Sequence, residues 1–142
     1  MVDDKDPVRA SGRCLCGGVR FAIRGALRQS AVACHCTTCR RFTGGLWVGT
    51  CARREHIVFE CDKTLRWFRS SPDAQRAFCS RCGSSLFWEG DDEPLWSIAA
   101  GSLDEPTGLR LAVHSWTAES ADYWSFDPGI PKTPGPSGLR EP

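Results

Sequence analysis

Three short clusters hold seven of the nine cysteines in this 142-residue chain: Cys14-Leu-Cys16, Cys34-His-Cys36-Thr-Thr-Cys39 and Cys79-Ser-Arg-Cys82. Cysteines one or two residues apart turn their sulfurs to one side of a knuckle, where a single soft cation can gather them. They are poorly placed to bridge one another, because so short a disulfide needs special backbone geometry. The count divides the clusters. Two pairs, Cys14/Cys16 and Cys79/Cys82, make four ligands and close a tetrahedral zinc. The triplet Cys34, Cys36 and Cys39 makes three and leaves a position open. A closed site suits structure and an open site suits chemistry.

The triplet carries the more specific message. Three thiolates around Zn²⁺ make an electron-rich, weakly Lewis-acidic centre that suits a fourth, exchangeable thiolate, since a thiol on zinc is deprotonated at neutral pH. His35 alternates with Cys34 and Cys36, so on a strand it points away from them and serves as a hydrogen-bonded neighbour; the other reading makes it the fourth ligand. A second closed site completed by His35, Cys51, Cys61 or a remote residue is the structural alternative for the cluster. Cys51 and Cys61 stand alone and read as buried small hydrophobes. His56 and His114 show no partner in sequence, and Trp116, in His114-Ser-Trp116, is a residue that can line the site.

These clusters need strands to hold them. Val19, Phe21 and Ile23 alternate with Arg20, Ala22 and Arg24, the pattern of a half-buried strand. Further strand runs are expected at 30–34, 46–51, 56–59, 65–68, 75–78, 85–88, 95–99 and 110–116, rich in Val, Ile, Phe and Trp and separated by Gly, Pro, Asp and Ser. Short helical turns are expected at 37–41 and near 103–105. The four-cysteine site joins residues far apart in sequence, a long loop closure that restricts the unfolded chain. Gly83, trailing Cys82, suits a positive-φ knuckle. The organisation expected is a flexible tail over 1–10, one zinc-binding domain over 11–127, and a Pro/Gly-rich tail over 128–142.

Bulk properties narrow the function. A formal net charge of +1 gives no electrostatic footprint for nucleic acid. No apolar run approaches the roughly 20 residues of a membrane span, and the polar start lacks a signal-peptide core. The expected setting is the cytoplasm, where thiols stay reduced and disulfides are rare. Nothing in the sequence speaks to oligomeric state.

In order, Gly12-Arg-Cys14-Leu-Cys16-Gly17-Gly18-Val19-Arg20-Phe21, Cys34-His35-Cys36-x-x-Cys39-Arg40, Phe78-Cys79-x-x-Cys82-Gly83-Ser84, Ser102-Leu103-Asp104 and His114-x-Trp116 run from about residue 11 to 127. This arrangement resembles the glutathione-dependent formaldehyde-activating enzyme family, which also includes centromere protein V. The resemblance implies a mainly β fold, a β-tent of folded antiparallel sheets built around zinc sites. It implies two Zn²⁺ per chain: a structural ion on Cys14, Cys16, Cys79 and Cys82, and a catalytic ion on Cys34, Cys36 and Cys39. It also implies a carbon–sulfur lyase that condenses glutathione, or a similar thiol, with formaldehyde to S-hydroxymethylglutathione, a detoxification reaction. The small-molecule partners are then a thiol and an aldehyde. The rival reading is a zinc-dependent thiol-binding or protein-interaction module without formaldehyde activity. A second enzymatic rival, methionine sulfoxide reduction, needs a nucleophilic cysteine outside the metal motifs; only Cys51 and Cys61 are available, and neither sits in a recognisable motif.

Overall fold

The computed structural model describes residue 3 and residues 5–142. Part of the tail expected over 1–10 therefore lies outside the described residues. The chain forms β1 (Ala10–Arg13), β2 (Arg20–Ile23), β3 (Ser30–Cys34), α1 (Thr37–Thr43), β4 (Trp47–Arg53), β5 (Ile57–Cys61), β6 (Leu65–Ser71), β7 (Ala74–Cys79), β8 (Ser85–Gly90), β9 (Leu95–Ala99) and β10 (Arg110–Ser115). The class is mainly β, as expected. Short 3-10 turns occupy Arg54–His56, Ala100–Ser102 and Thr117–Glu119. The second lies just upstream of the turn expected near 103–105. No helix among the described residues is long and apolar enough to cross a membrane.

The strands make two sheets. One is antiparallel with order β1-β2-β5; the other has seven strands in the order β10-β3-β4-β9-β8-β7-β6. The larger sheet is mixed rather than wholly antiparallel, because β10 runs parallel to β3. Period-2 alternation is plain in β2, where Phe21 and Ile23 are buried and Arg20 is exposed. These side chains meet Phe87 of β8 and Trp96 and Ile98 of β9 in one apolar core. Phe21 and Phe87 pack edge-on with ring centroids 5.0 Å apart, and Trp67 meets Trp96 at 4.9 Å. Such offset geometry adds to the burial of the rings themselves.

β1 has little strand propensity of its own. It exists because β2 pairs it, from Ala10 opposite Ile23 to Arg13 opposite Arg20. Gly12 is needed there, since a Cβ would stand 2.5 Å from the Phe21 ring. This pairing delivers Cys14 to the end of the smaller sheet, while Cys79 ends β7 and Cys82 lies in the β7–β8 connection. The segment 128–142, expected as a tail, holds no helix or strand, in keeping with its Pro and Gly content. It nevertheless runs along β10: the His114 amide donates to Pro131 O, the Thr133 amide to His114 O and the Trp116 amide to Gly135 O.

Candidate metal centres

Cys14, Cys16, Cys79 and Cys82 converge, and so separately do Cys34, Cys36 and Cys39. Within each group every sulfur lies within 4.8 Å of every other. The Cys14–Cys16 and Cys16–Cys79 sulfurs are each 3.6 Å apart, and all nine cysteines are free. An edge of a zinc tetrahedron with bonds of ~2.3 Å is about 3.8 Å. Donor set and spacing therefore fit a soft cation at both places.

The four-cysteine group is built from two knuckles. The Val19 amide donates to Cys14 Sγ at 3.3 Å, and the Cys82 amide to Cys79 Sγ at 3.4 Å. The hydroxyls of Ser84 and Thr64 lie 3.2 Å from the sulfurs of Cys82 and Cys79. Gly83 takes φ +78°, the conformation its place after the knuckle requires. The Ser84 hydroxyl, with backbone N–H groups, pulls the Cys82 thiol down to about 5 from its usual 9.0. Burial pushes the Cys79 thiol up, but the Thr64 hydroxyl and the amides of Cys82 and Arg81 outweigh it, and the net shift is down. Hydrogen bonds to the charged form thus favour the thiolate at Cys79 and Cys82, whereas burial pushes the Cys14 thiol up.

The triplet spans the end of β3 and the first turn of α1. Cys36 is the helix N-cap, and its sulfur accepts from the Cys39 amide at 3.3 Å. A sulfur replaces the usual capping oxygen, so starting the helix and gathering the ligands are one act. The crowding drives the ionisations apart. Hydrogen bonds from Cys34 and Cys39, with the charge of Arg76 helping, hold the Cys36 thiol far below the ordinary range. Hydrogen bonding with Cys34 and Cys36, and then burial, push Cys39 far above it. A cation among the three sulfurs would relieve the mutual repulsion of their thiolates.

The two groups differ in access. A cavity of ≈ 550 Å³ is lined by Cys34, Cys36 and Cys39, with Arg76, Trp47 and Trp116. Trp116 lines the site, as its position in sequence suggested, and holds a left-handed backbone at φ +53°. The second large hollow touches Cys14 but none of its three companions. Among the described residues no fourth His, Cys, Asp or Glu joins the triplet. His35 is turned away: it is 2 % exposed, and its Nε2 lies 2.8 Å from Nδ1 of His114. Phe126 and Trp124 flank it, with ring centroids 4.9 and 5.3 Å away. Cys51 is buried and donates to Arg140 O at 3.1 Å, while Cys61 donates to Gly18 O at 3.3 Å.

Two contributors escaped sequence reading. Arg76 of β7 is buried against Cys39; an arginine at an inward position between Ala74 and Ala77 was the available signal. The stretch Pro136–Arg140 also lines the cavity, and its composition gave no hint of that.

The fold and site define a mainly β domain with two cysteine clusters able to hold metal. The family model described as glutathione-dependent formaldehyde-activating enzyme matches residues 9–119, and the chain belongs to this family. An uncharacterized lyase of Schizosaccharomyces pombe is 27% identical over 78 residues, covering 54% of this chain and 55% of that protein. The match thus spans about half the length of that curated relative. A crystal structure of a Rhodobacter sphaeroides protein superposes with a TM-score of 0.59 at 20% identity, covering 87% of this chain and 99% of that one. That likeness speaks to the fold.

Proposed function

We propose that this chain is a zinc-dependent carbon–sulfur lyase, built as a β-tent, that condenses glutathione or a similar thiol with formaldehyde to S-hydroxymethylglutathione. The observation that carries the reading is the open triplet: three sulfurs on the wall of a ≈ 550 Å³ cavity, with no fourth ligand among the described residues. In this reading Cys14, Cys16, Cys79 and Cys82 hold a structural ion, and Cys34, Cys36 and Cys39 hold the one that serves chemistry. A zinc ion at the triplet supplies the positive charge that keeps a neighbouring thiol ionised near neutral pH.

The chain's own residues do the rest. A cavity of this size accepts a tripeptide, and Trp47 and Trp116 give it apolar walls. The reaction is an addition: a carbon–sulfur bond forms as the aldehyde C=O π bond and the thiol S–H bond break. The proton lost by the thiol reappears, through solvent, on the new hydroxyl. Formaldehyde adds readily to thiols unaided, so holding both reactants together is the main contribution required. Cysteines kept free suit a reducing compartment, and we place the activity in the cytoplasm as a formaldehyde-detoxifying step.

The test is exchange NMR on glutathione–formaldehyde mixtures. The zinc-loaded protein is expected to speed interconversion of the free and hydroxymethylated thiol, and Cys39→Ser to abolish the effect. Thiol binding with no acceleration would establish the binding module instead.

A further inference from the structure

Arg76 buries a cation with no carboxylate to meet it. Its side chain is 5 % exposed. Among the described residues it forms no ion pair with Asp or Glu, and its Nε and Nη1 have no hydrogen-bond partner. Its guanidinium lies 5.6 Å from the Phe42 ring centroid, and Nη2 donates to Cys39 Sγ at 3.4 Å. The cavity does contain carboxylates, but they are engaged elsewhere. Glu93 pairs with Arg140, Glu119 accepts from the Thr37 amide and Asp73 from the Ser71 hydroxyl. A guanidinium is a permanent cation, and burying one without an anion costs several kcal/mol. The anion here is the sulfur cluster itself.

Charge counting gives the consequence. Three thiolates and a divalent ion sum to −1, and Arg76 brings the assembly to neutrality. A neutral ligand in the open position leaves that balance intact. A thiolate takes the assembly to −1, where without the guanidinium beside Cys39 it would stand at −2. We infer that Arg76 fixes the charge of the ligand accepted at the triplet: it admits an anionic sulfur where a bare three-thiolate centre would repel it. Arg76 acts through the cluster and need not touch the incoming thiol. This inference rests on the thiol-binding reading above.

The test uses protein with cobalt at the triplet, whose visible bands report its ligands, and compares wild type with Arg76→Met and Arg76→Lys. Glutathione and azide serve as anionic probes and imidazole as the neutral one. Arg76→Met, which keeps the packing under Phe42 but loses the charge, is expected to weaken glutathione and azide by about tenfold or more while leaving imidazole unchanged. Arg76→Lys, which restores the charge, is expected to recover most of the loss. Equal weakening of all three probes, or failure of Arg76→Lys to recover, would overturn the inference in favour of a packing role. Should Arg76→Met not fold, Arg76→Gln takes its place, losing the charge while keeping a donor near Cys39: it is expected to weaken glutathione and azide and spare imidazole, and equal effects on all three overturn the inference. Wild type that ignores glutathione yet prefers azide would defeat the thiol reading alone. Wild type and Arg76→Met taking glutathione equally would defeat this inference alone.

Discussion

Each cysteine has its own consequence, set by what its sulfur touches. In the proposed reading Cys82→Ser removes one of four ligands joining the Cys14–Cys16 and Cys79–Cys82 knuckles, so metal loss and unfolding should come together. Cys39→Ser removes one of three on the cavity wall and should release a single ion while leaving most of the fold. Metal analysis and thermal melting of both variants check this, with about two ions per wild-type chain expected. Cys82 also sets a pH window. Its thiol is pulled down to about 5 in the folded protein from 9.0. Between those values the unfolded chain binds more protons, so Cys82 stabilises the fold fully above about 9 and progressively less as pH falls towards 5. Metal retention at the four-cysteine site, followed with a chromogenic chelator, should therefore weaken progressively as pH falls from about 9 towards 5. The residue types announced both groups of converging cysteines, because their spacing is local. The His35–His114 contact and the Arg76–Cys39 contact were hidden, because each joins residues far apart in sequence.

Among the elements, α1 does the most with the least chain. It has seven residues, a sulfur for an N-cap and Gly44 at φ +79° for a C-cap. No atom lies within 4 Å of a Cβ built at Gly44, so Gly44→Ala tests conformation alone. It should cost about 1 kcal/mol, read as a drop in melting temperature with metal content unchanged. Gly49 of β4 is the opposite case: a Cβ there would stand 2.5 Å from Trp47 Nε1 and 2.6 Å from Ser97 Oγ. Gly49→Ala should displace Trp47, break its 2.9 Å bond to Ser97 and change thiol affinity more than stability, as glutathione titration would register. Alternation and β-branched content exposed nine strands to sequence reading, β3 and β9 with the bounds they have in the structure. β1 stayed hidden because Ala10-Ser-Gly-Arg13 carries no propensity without β2 beside it. The parallel run of β10 stayed hidden too, since strand composition says nothing of direction.

For the whole molecule, stability rests on the aromatic core joining both sheets. Phe87→Ala removes the ring that touches Phe21, Phe59 and Trp96 and should cost about 3–5 kcal/mol, measured by denaturant unfolding of the zinc-loaded protein. That a mainly β domain would form was legible from composition and pattern; that residues 136–140 would wall the cavity was not, because nothing in Pro-Ser-Gly-Leu-Arg names its contact. The pairing of Cys16 with Cys79, 63 positions apart, also reaches into biosynthesis. At a translation rate of roughly 5–20 residues per second, the first two thiols emerge several seconds before their partners. The triplet emerges in that interval. A nascent chain meeting zinc therefore holds seven cysteine sulfurs, Cys51 and Cys61 among them, and no native way to arrange four of them, and later synthesis must displace that early complex. Refolding with zinc present from the outset should accordingly be slower than refolding with zinc added after collapse, so the timing of metal supply, as well as its amount, governs the yield of this protein.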